Sequence, residues 1–124
     1  MKKILVVDDE PEILSILVFR ISYWGYDAIP AGSGSEGLDL AEEEQPDLII
    51  LDIMMPGMDG FEVLKRLKRS DKTRNIPVII ITVVSAKKEI EKGLSLGANF
   101  YLTKPYEAQE LKNKIVQIIG EGEK

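Results

Sequence analysis

Four apolar runs in this chain end on polar side chains. Ile4-Leu5-Val6-Val7 runs into Asp8-Asp9, Leu48-Ile49-Ile50-Leu51 into Asp52, and Val78-Ile79-Ile80-Ile81 into Thr82. Phe100-Tyr101-Leu102 is followed, one residue on, by Lys104-Pro105. If these ends meet, three carboxylates share one apolar rim. Two like charges ~4 Å apart repel by roughly 4 kcal/mol at an effective dielectric near 20, so such a rim needs counter-charge. A hard divalent cation with oxygen ligands provides it, Mg²⁺ in particular (Mn²⁺ as the substitute), because it combines a few carboxylates with waters and a phosphate oxygen. Lys104 adds one positive charge. An Asp at a strand end also has a plain reading as a helix N-cap, and Asp9 before Glu10-Pro11 fits that at one strand. Four strand ends bearing acids or their partners fit it poorly.

Strands and helices must bring these residues together. Apolar runs bounded by turn signals alternate with segments of helical period. Strands are expected near 4–7, 26–30, 48–51, 78–81 and 100–102, and helices over about 11–24, 35–45, 59–69, 86–96 and 107–119. Pro11 suits a first helical turn, and Gly25, Gly97 and Gly120 suit helix ends. Strand–helix alternation repeated five times implies an α/β fold, a doubly wound parallel sheet with helices on both faces. The first, third and fourth strands are apolar throughout, as central strands must be. In such sheets ligands bind beyond the carboxyl ends of the strands, which is where the polar residues stand.

Composition narrows the chemistry further. A chain of 124 residues is one domain. It has neither Cys nor His, so a disulfide framework, a thiolate nucleophile, an imidazole base and the usual transition-metal ligands are all excluded. A net charge of −5 argues against direct nucleic-acid binding by this domain. No apolar run reaches the ~18–20 residues of a membrane span, and the N-terminus does not read as a signal peptide. A cytoplasmic location is therefore expected.

These residues resemble a known pattern. Asp8-Asp9, Asp52 within Leu51-Asp52-Ile53-Met54-Met55-Pro56-Gly57-Met58-Asp59-Gly60, Thr82 and Lys104-Pro105 are similar to the receiver domain of two-component response regulators, of the chemotaxis-regulator type, free-standing or cut from a longer regulator. The resemblance covers about residues 2–119. It implies a flavodoxin-like sheet of order 2-1-3-4-5, with a receiver domain over 1–120 and a short tail over 121–124. It implies that Asp52 accepts a phosphoryl group from a phosphohistidine on a histidine kinase or histidine phosphotransfer protein. Asp8, Asp9, Asp52 and the backbone carbonyl of Met54 would hold the metal, Lys104 would pair with a phosphoryl oxygen, and Thr82 would bond another. Tyr101 matches the switch aromatic, and Lys104-Pro105 would be a cis peptide. The domain would be no enzyme beyond catalysing its own phosphorylation and dephosphorylation. Its altered binding surface would be the face of the fourth helix, fifth strand and fifth helix. Chemically this is consistent: in-line phosphoryl transfer needs positioning and charge neutralisation, and an aspartate nucleophile needs no activating base.

Other features are weighed against this reading. Gly32-x-Gly34-x-x-Gly37 matches a dinucleotide-binding fingerprint but follows the second strand, and that reading leaves Asp8, Thr82 and Lys104 idle; no organic cofactor is expected. A metal-dependent phosphohydrolase would share Asp9, Asp52 and Lys104 but lacks the Asp-x-Asp arrangement at Asp52-Ile53-Met54. A phosphorylation-independent interaction module is the remaining alternative. Val83 stands where the family usually has a small residue and narrows access for phosphodonors. Met54 and Val84 occupy positions that influence dephosphorylation in the family, and neither orients an attacking water, so a long-lived aspartyl phosphate is expected. In the first helix, Leu14, Leu17, Val18 and Ile21 form a core stripe, while Ile16, Phe19 and Tyr23 form a second, nearly opposite stripe suited to docking the phosphodonor partner. Lys65, Arg66, Lys68, Arg69, Lys72 and Arg74 cluster near the end of the third helix and read as a solvated face.

Overall fold

A computed structural model describes residues 1–123. Five strands alternate with five helices: β1 (Lys3–Val7), α1 (Pro11–Tyr23), β2 (Asp27–Ala31), α2 (Gly34–Glu44), β3 (Leu48–Leu51), α3 (Gly60–Arg69), β4 (Val78–Thr82), α4 (Lys87–Ser95), β5 (Phe100–Thr103) and α5 (Ala108–Ile119). All pairings are parallel and the order is β2-β1-β3-β4-β5. The expected topology is therefore observed, with element ends moved by one or two residues. The three strands read as central occupy the centre.

Both faces of the sheet are covered, and the period of two in each strand divides the core accordingly. Leu5, Val7, Ile49, Leu51, Val78 and Ile80 pack with Ala41 of α2 and with Phe61, Val63, Leu64 and Leu67 of α3. Ile4, Val6, Leu48, Ile50, Ile79 and Ile81 pack with Leu17 and Ile21 of α1 and Leu111 and Ile115 of α5. Truncating any of these leucines or isoleucines to Ala would cost about 2–5 kcal/mol, the lost transfer energy plus a cavity. That burial holds the strand ends in register, and the register positions the site.

Local signals explain the helix boundaries. Pro11 occupies the first turn of α1. Ser33 and Asp59 cap α2 and α3, accepting the amides of Glu36 and Glu62. Gly25, Gly97 and Gly120 take positive φ after α1, α4 and α5, conformations that a side chain disfavours. Beyond α5 the chain turns back: the Tyr26 hydroxyl donates to the Gly120 carbonyl at 2.6 Å and the Glu123 amide to the Gly25 carbonyl at 2.9 Å.

Candidate functional site

The register of the parallel ladder makes the site. Val7 pairs with Leu51, and Leu51 with Ile80, so Asp8 and Asp52 leave neighbouring strands at the same level. The Asp52 amide donates to the Val7 carbonyl at 3.0 Å, which ties the two ends together. Thr82 pairs with Thr103, and the Lys104 amide donates to the Thr82 carbonyl at 2.8 Å. The chain order Asp8, Asp52, Thr82, Lys104 thus becomes adjacency along one edge of the sheet.

There, one carboxylate oxygen from each of Asp8, Asp9 and Asp52 lies within 4.8 Å of the others. Asp8 and Asp52 are buried and Asp9 is half-buried. Asp9 is not the helix cap: Glu10 holds that position, and its amide donates to Asp8 Oδ1 at 2.9 Å. Asp52 Oδ1 accepts the Met54 amide at 3.1 Å in the same way. Lys104 Nζ stands 3.8 Å from Asp52 Oδ2 and 3.9 Å from Asp8 Oδ2, the one cation paired with either acid among the described residues. The balance favours the acids. Burial, reinforced by the Asp52 charge, pushes the Asp8 carboxyl above its ordinary 3.8, against the Glu10 amide and the Lys104 ammonium that lower it. A hard cation fits this donor set, because carboxylate oxygens are its preferred ligands and the uncompensated negative charge is already gathered.

The remaining candidates surround this centre. Thr82 is fully buried, with Oγ1 3.4 Å from the Val84 amide. Tyr101 is half-buried and donates its hydroxyl to the Val84 carbonyl at 2.8 Å, clasping the loop between β4 and α4 two residues beyond Thr82. Met54 and Val83 are 57% and 59% exposed, so apolar side chains flank both Asp52 and Thr82 at the surface. The Lys104-Pro105 peptide is cis.

Gly60 was not singled out by its sequence position. A Cβ there would run into the Asp52 carbonyl and lie 2.5 Å from Ile53 Cα, while its amide donates to the Ile53 carbonyl at 2.9 Å. The loop after β3 doubles back so closely that only glycine fits. The Asp-Gly pair at 59–60 was the available signal, a cap followed by the smallest residue. Tyr106 was also missed. It shares a groove with Ile13, Ile16, Leu17, Arg20, Lys104 and Pro105, and burial raises its phenol.

The other sequence features have structural explanations or remain as surfaces. Gly37 packs α2 onto β1, where a Cβ would come 2.8 Å from Val7 Cγ2, and Gly34 does the same against Val63. The Glu36 carboxylate accepts the Gly32 amide at 2.7 Å, putting an acid where a phosphate would have to sit. In the basic cluster, Arg66 pairs with Glu62, Arg74 with Asp71, and Lys68 donates to the carbonyls of Arg74 and Ile76. On α1, Leu17 and Ile21 are buried, whereas Ile16, Phe19 and Tyr23 are 51%, 75% and 82% exposed. Among the described residues, no helix is long and apolar enough to cross a membrane.

Comparison with known proteins agrees with this geometry. The family model described as "Response regulator receiver domain" matches residues 4–116. The chain is 41% identical over 122 residues to the alkaline phosphatase synthesis transcriptional regulatory protein PhoP of Bacillus subtilis, covering 98% of this chain and 50% of that protein. It is 39% identical over 115 residues to the DNA-binding dual master transcriptional regulator RpaA of Synechocystis, covering 93% and 48%. The chain thus spans about half the length of these curated relatives. Among solved structures, the Vibrio cholerae chemotaxis protein CheY4 superposes with a TM-score of 0.90 at 28% identity, over 96% of this chain and 99% of that one. A response regulator from Chloroflexus aurantiacus does so at 0.88 and 32%, over 94% and 96%. The expectation of no nucleic-acid contact stands beside relatives whose names include transcriptional and DNA-binding roles, and it concerns these 124 residues alone. With the strand order, the acidic edge and the match over most of its length in agreement, this chain belongs to the response regulator receiver domain family of two-component systems.

Proposed function

We propose that this domain is a phosphorylation-controlled switch whose acceptor is Asp52. The observation that carries the reading is the meeting of Asp8, Asp9 and Asp52 within 4.8 Å, with Lys104 3.8 Å from the Asp52 carboxylate. An Asp52 oxygen attacks the phosphorus of a partner's phosphohistidine, the P–N bond breaks, the imidazole leaves with that electron pair, and an acyl phosphate remains. Lys104 neutralises one phosphoryl oxygen. Asp8, Asp9, Asp52 and the Met54 carbonyl would hold Mg²⁺, which when bound supplies charge neutralisation for the transferring group. The Thr82 hydroxyl turns toward another phosphoryl oxygen. Because the Tyr101 hydroxyl holds the Val84 carbonyl, movement at Thr82 is passed to the face formed by α4, β5 and α5, where the effector binds.

Catalysis is limited to the domain's own phosphorylation and dephosphorylation. The exposed stripe Ile16, Phe19 and Tyr23 receives the histidine kinase or phosphotransfer protein, and the groove from α1 past Arg20 to Lys104 and Pro105 leads from that surface to the site. The domain works in the cytoplasm, and its net charge of −5 supports a role without direct DNA contact; the DNA-directed roles named for the relatives belong to proteins about twice as long.

The test is intact mass after incubation with acetyl phosphate or phosphoramidate and Mg²⁺, with Asp52→Asn and EDTA controls. One added phosphoryl group (~80 Da) that requires both Asp52 and the metal is expected. If the small donors fail because Val83 blocks them, phosphorylated histidine kinases must label Asp52. Failure of both donor types overturns the reading.

A further inference from the structure

The chain has four methionines, and they differ sharply in access. Met55 is buried at 7% exposure and Met58 is half-buried. Met1 is exposed at the chain end, before β1 and so at the opposite end of that strand from Asp8, and Met54 is 57% exposed two residues after Asp52. The Met54 amide is bonded to Asp52 Oδ1, so its Cα is held against the acceptor. Its side chain lines an open cleft of about 610 Å³ between the loop after β3 and α4, with Pro56, Phe61, Glu89 and Lys92. With 57% of the residue exposed, the Met54 side chain is open to solvent and small oxidants, and susceptibility to oxidation follows access.

We propose that Met54 is a redox modification site that sets the lifetime of the phosphorylated state, through oxidation of its thioether to the sulfoxide by a peroxide. The inference rests on Asp52 being the phosphoryl acceptor. The step is a two-electron oxygen transfer: the O–O bond of hydrogen peroxide breaks, an S=O bond forms, the sulfur is oxidised, and water leaves. A thiol-dependent sulfoxide reductase reverses it.

The consequence follows from what flanks the site now. Met54 and Val83, both exposed and apolar, flank Asp52 and Thr82, so water that reaches an acyl phosphate at Asp52 from this side passes them. A thioether sulfur is a weak acceptor and holds such a water poorly. The sulfoxide oxygen is a strong acceptor on the same flexible side chain, and it can orient the water or take part of its hydrogen-bonding load. Positioned groups of this kind contribute up to about 10²–10⁴-fold when they also take the proton. Orientation alone should shorten the lifetime about three- to tenfold, below that range.

The experiment compares phosphorylated wild type before and after hydrogen peroxide treatment. Intact mass and peptide mapping locate each added oxygen, and loss of the ~80 Da phosphoryl adduct over time gives the lifetime. Met54→Leu, measured against its own untreated lifetime, serves as the insensitive control. Met54→Gln carries an amide oxygen as a permanent acceptor. Expected are oxygen addition at Met54 ahead of Met55 and Met58, a shortened lifetime in oxidised wild type, no response in Met54→Leu, and a short lifetime in Met54→Gln without oxidant. Oxidation at Met54 with an unchanged lifetime overturns the proposal, as does an equal peroxide response in Met54→Leu. Failure of untreated wild type to take up the phosphoryl group from any donor overturns the Asp52 reading and this one with it, so the two failures are distinguishable.

Discussion

Replacing Asp8 by Asn should make the metal-free domain more stable, although it removes one of the three carboxylates gathered at the site. The Asp8 carboxylate has three electrostatic relationships of consequence. It repels Asp52 across at most 4.8 Å, at least about 3.5 kcal/mol at an effective dielectric of 20, and attracts Lys104 at 3.9 Å, about 4.3 kcal/mol on the same basis. These nearly cancel. What is left is the burial of an ionised group whose side chain is only 3% exposed, plus weaker repulsion from the partly solvated Asp9. Asparagine removes both costs and keeps an oxygen for the Glu10 amide. A net gain of about 1–2 kcal/mol is expected, a rise of roughly 3–7 °C in Tm for a domain of this size.

The pH dependence carries the same sign. Burial first, and the Asp52 charge with it, hold the Asp8 carboxyl above 3.8 in the folded protein. The folded state therefore binds that proton more tightly than the unfolded chain does. The stability this contributes is complete below the unfolded value and is lost as pH rises through the raised folded value. The variant has no such proton, so its advantage should be absent near pH 3.5, grow as Asp8 ionises, and level off at neutral pH. Magnesium should invert the ranking, because a ligand at 100 times its Kd stabilises by ~2.7 kcal/mol and only the wild type keeps the full carboxylate set. Urea unfolding in EDTA and in Mg²⁺ measures all of this. An Asp8→Asn protein less stable than wild type in EDTA at neutral pH would refute the electrostatic account of the site.

Four further outcomes follow from single contacts. Gly60→Ala should destabilise by about 1–3 kcal/mol or more, since the added methyl meets the Asp52 and Ile53 backbone, and Mg²⁺ affinity by fluorescence or calorimetry should fall with it. Tyr101→Phe removes the bond to the Val84 carbonyl and should cost about 1 kcal/mol, with faster amide exchange confined to the loop between β4 and α4. Phe19→Ser should leave stability within about 0.5 kcal/mol, as an exposed site does, yet slow phosphoryl transfer from a kinase while labelling by acetyl phosphate stays unchanged; equal kinase rates would remove α1 as the docking surface. Val83→Ala should speed labelling by small donors, and an unchanged rate would show that the valine does not guard the entrance.

The fold was legible because its signals were redundant. Three strands apolar on both faces could only be central, and five alternations of strand and helix leave few topologies once connections are right-handed. The residues of the acidic edge were legible for a related reason: each stands directly after a strand, and a parallel register brings strand ends together wherever the strands align. Gly60 and Tyr106 were less legible because their roles depend on contacts across the fold. The doubling-back of the loop onto the Asp52 carbonyl has no local period, and the groove shared by Tyr106, Arg20 and Lys104 joins segments about 85 residues apart. The fingerprint at Gly32, Gly34 and Gly37 illustrates the converse. Gly34 and Gly37 are explained by close packing on Val63 and Val7, whereas a side chain at Gly32 would meet open space; a packing constraint is thus expressed with the same residues as a phosphate cradle.

The same burial that makes the strand ends legible also makes the site reactive. Apolar strands drive Asp8 and Asp52 to an edge where water cannot fully solvate them, and one lysine at 3.8–3.9 Å leaves the pair under-neutralised. A fold optimised for stability alone would replace Asp8, as the expected gain in Asp8→Asn indicates. Its presence keeps a standing demand for positive charge that a divalent cation would meet. Lys104 and one divalent cation together would balance the three carboxylates, leaving an edge that could accept a phosphoryl group under the proposed function. On the proposed function, stability given up in the metal-free state would reappear as affinity for the ion, and the clasp of Tyr101 on Val84 would carry a change of charge at Asp52 to α4. Apolar strands, buried acids and one tyrosine hydroxyl are sufficient physical parts for a switch.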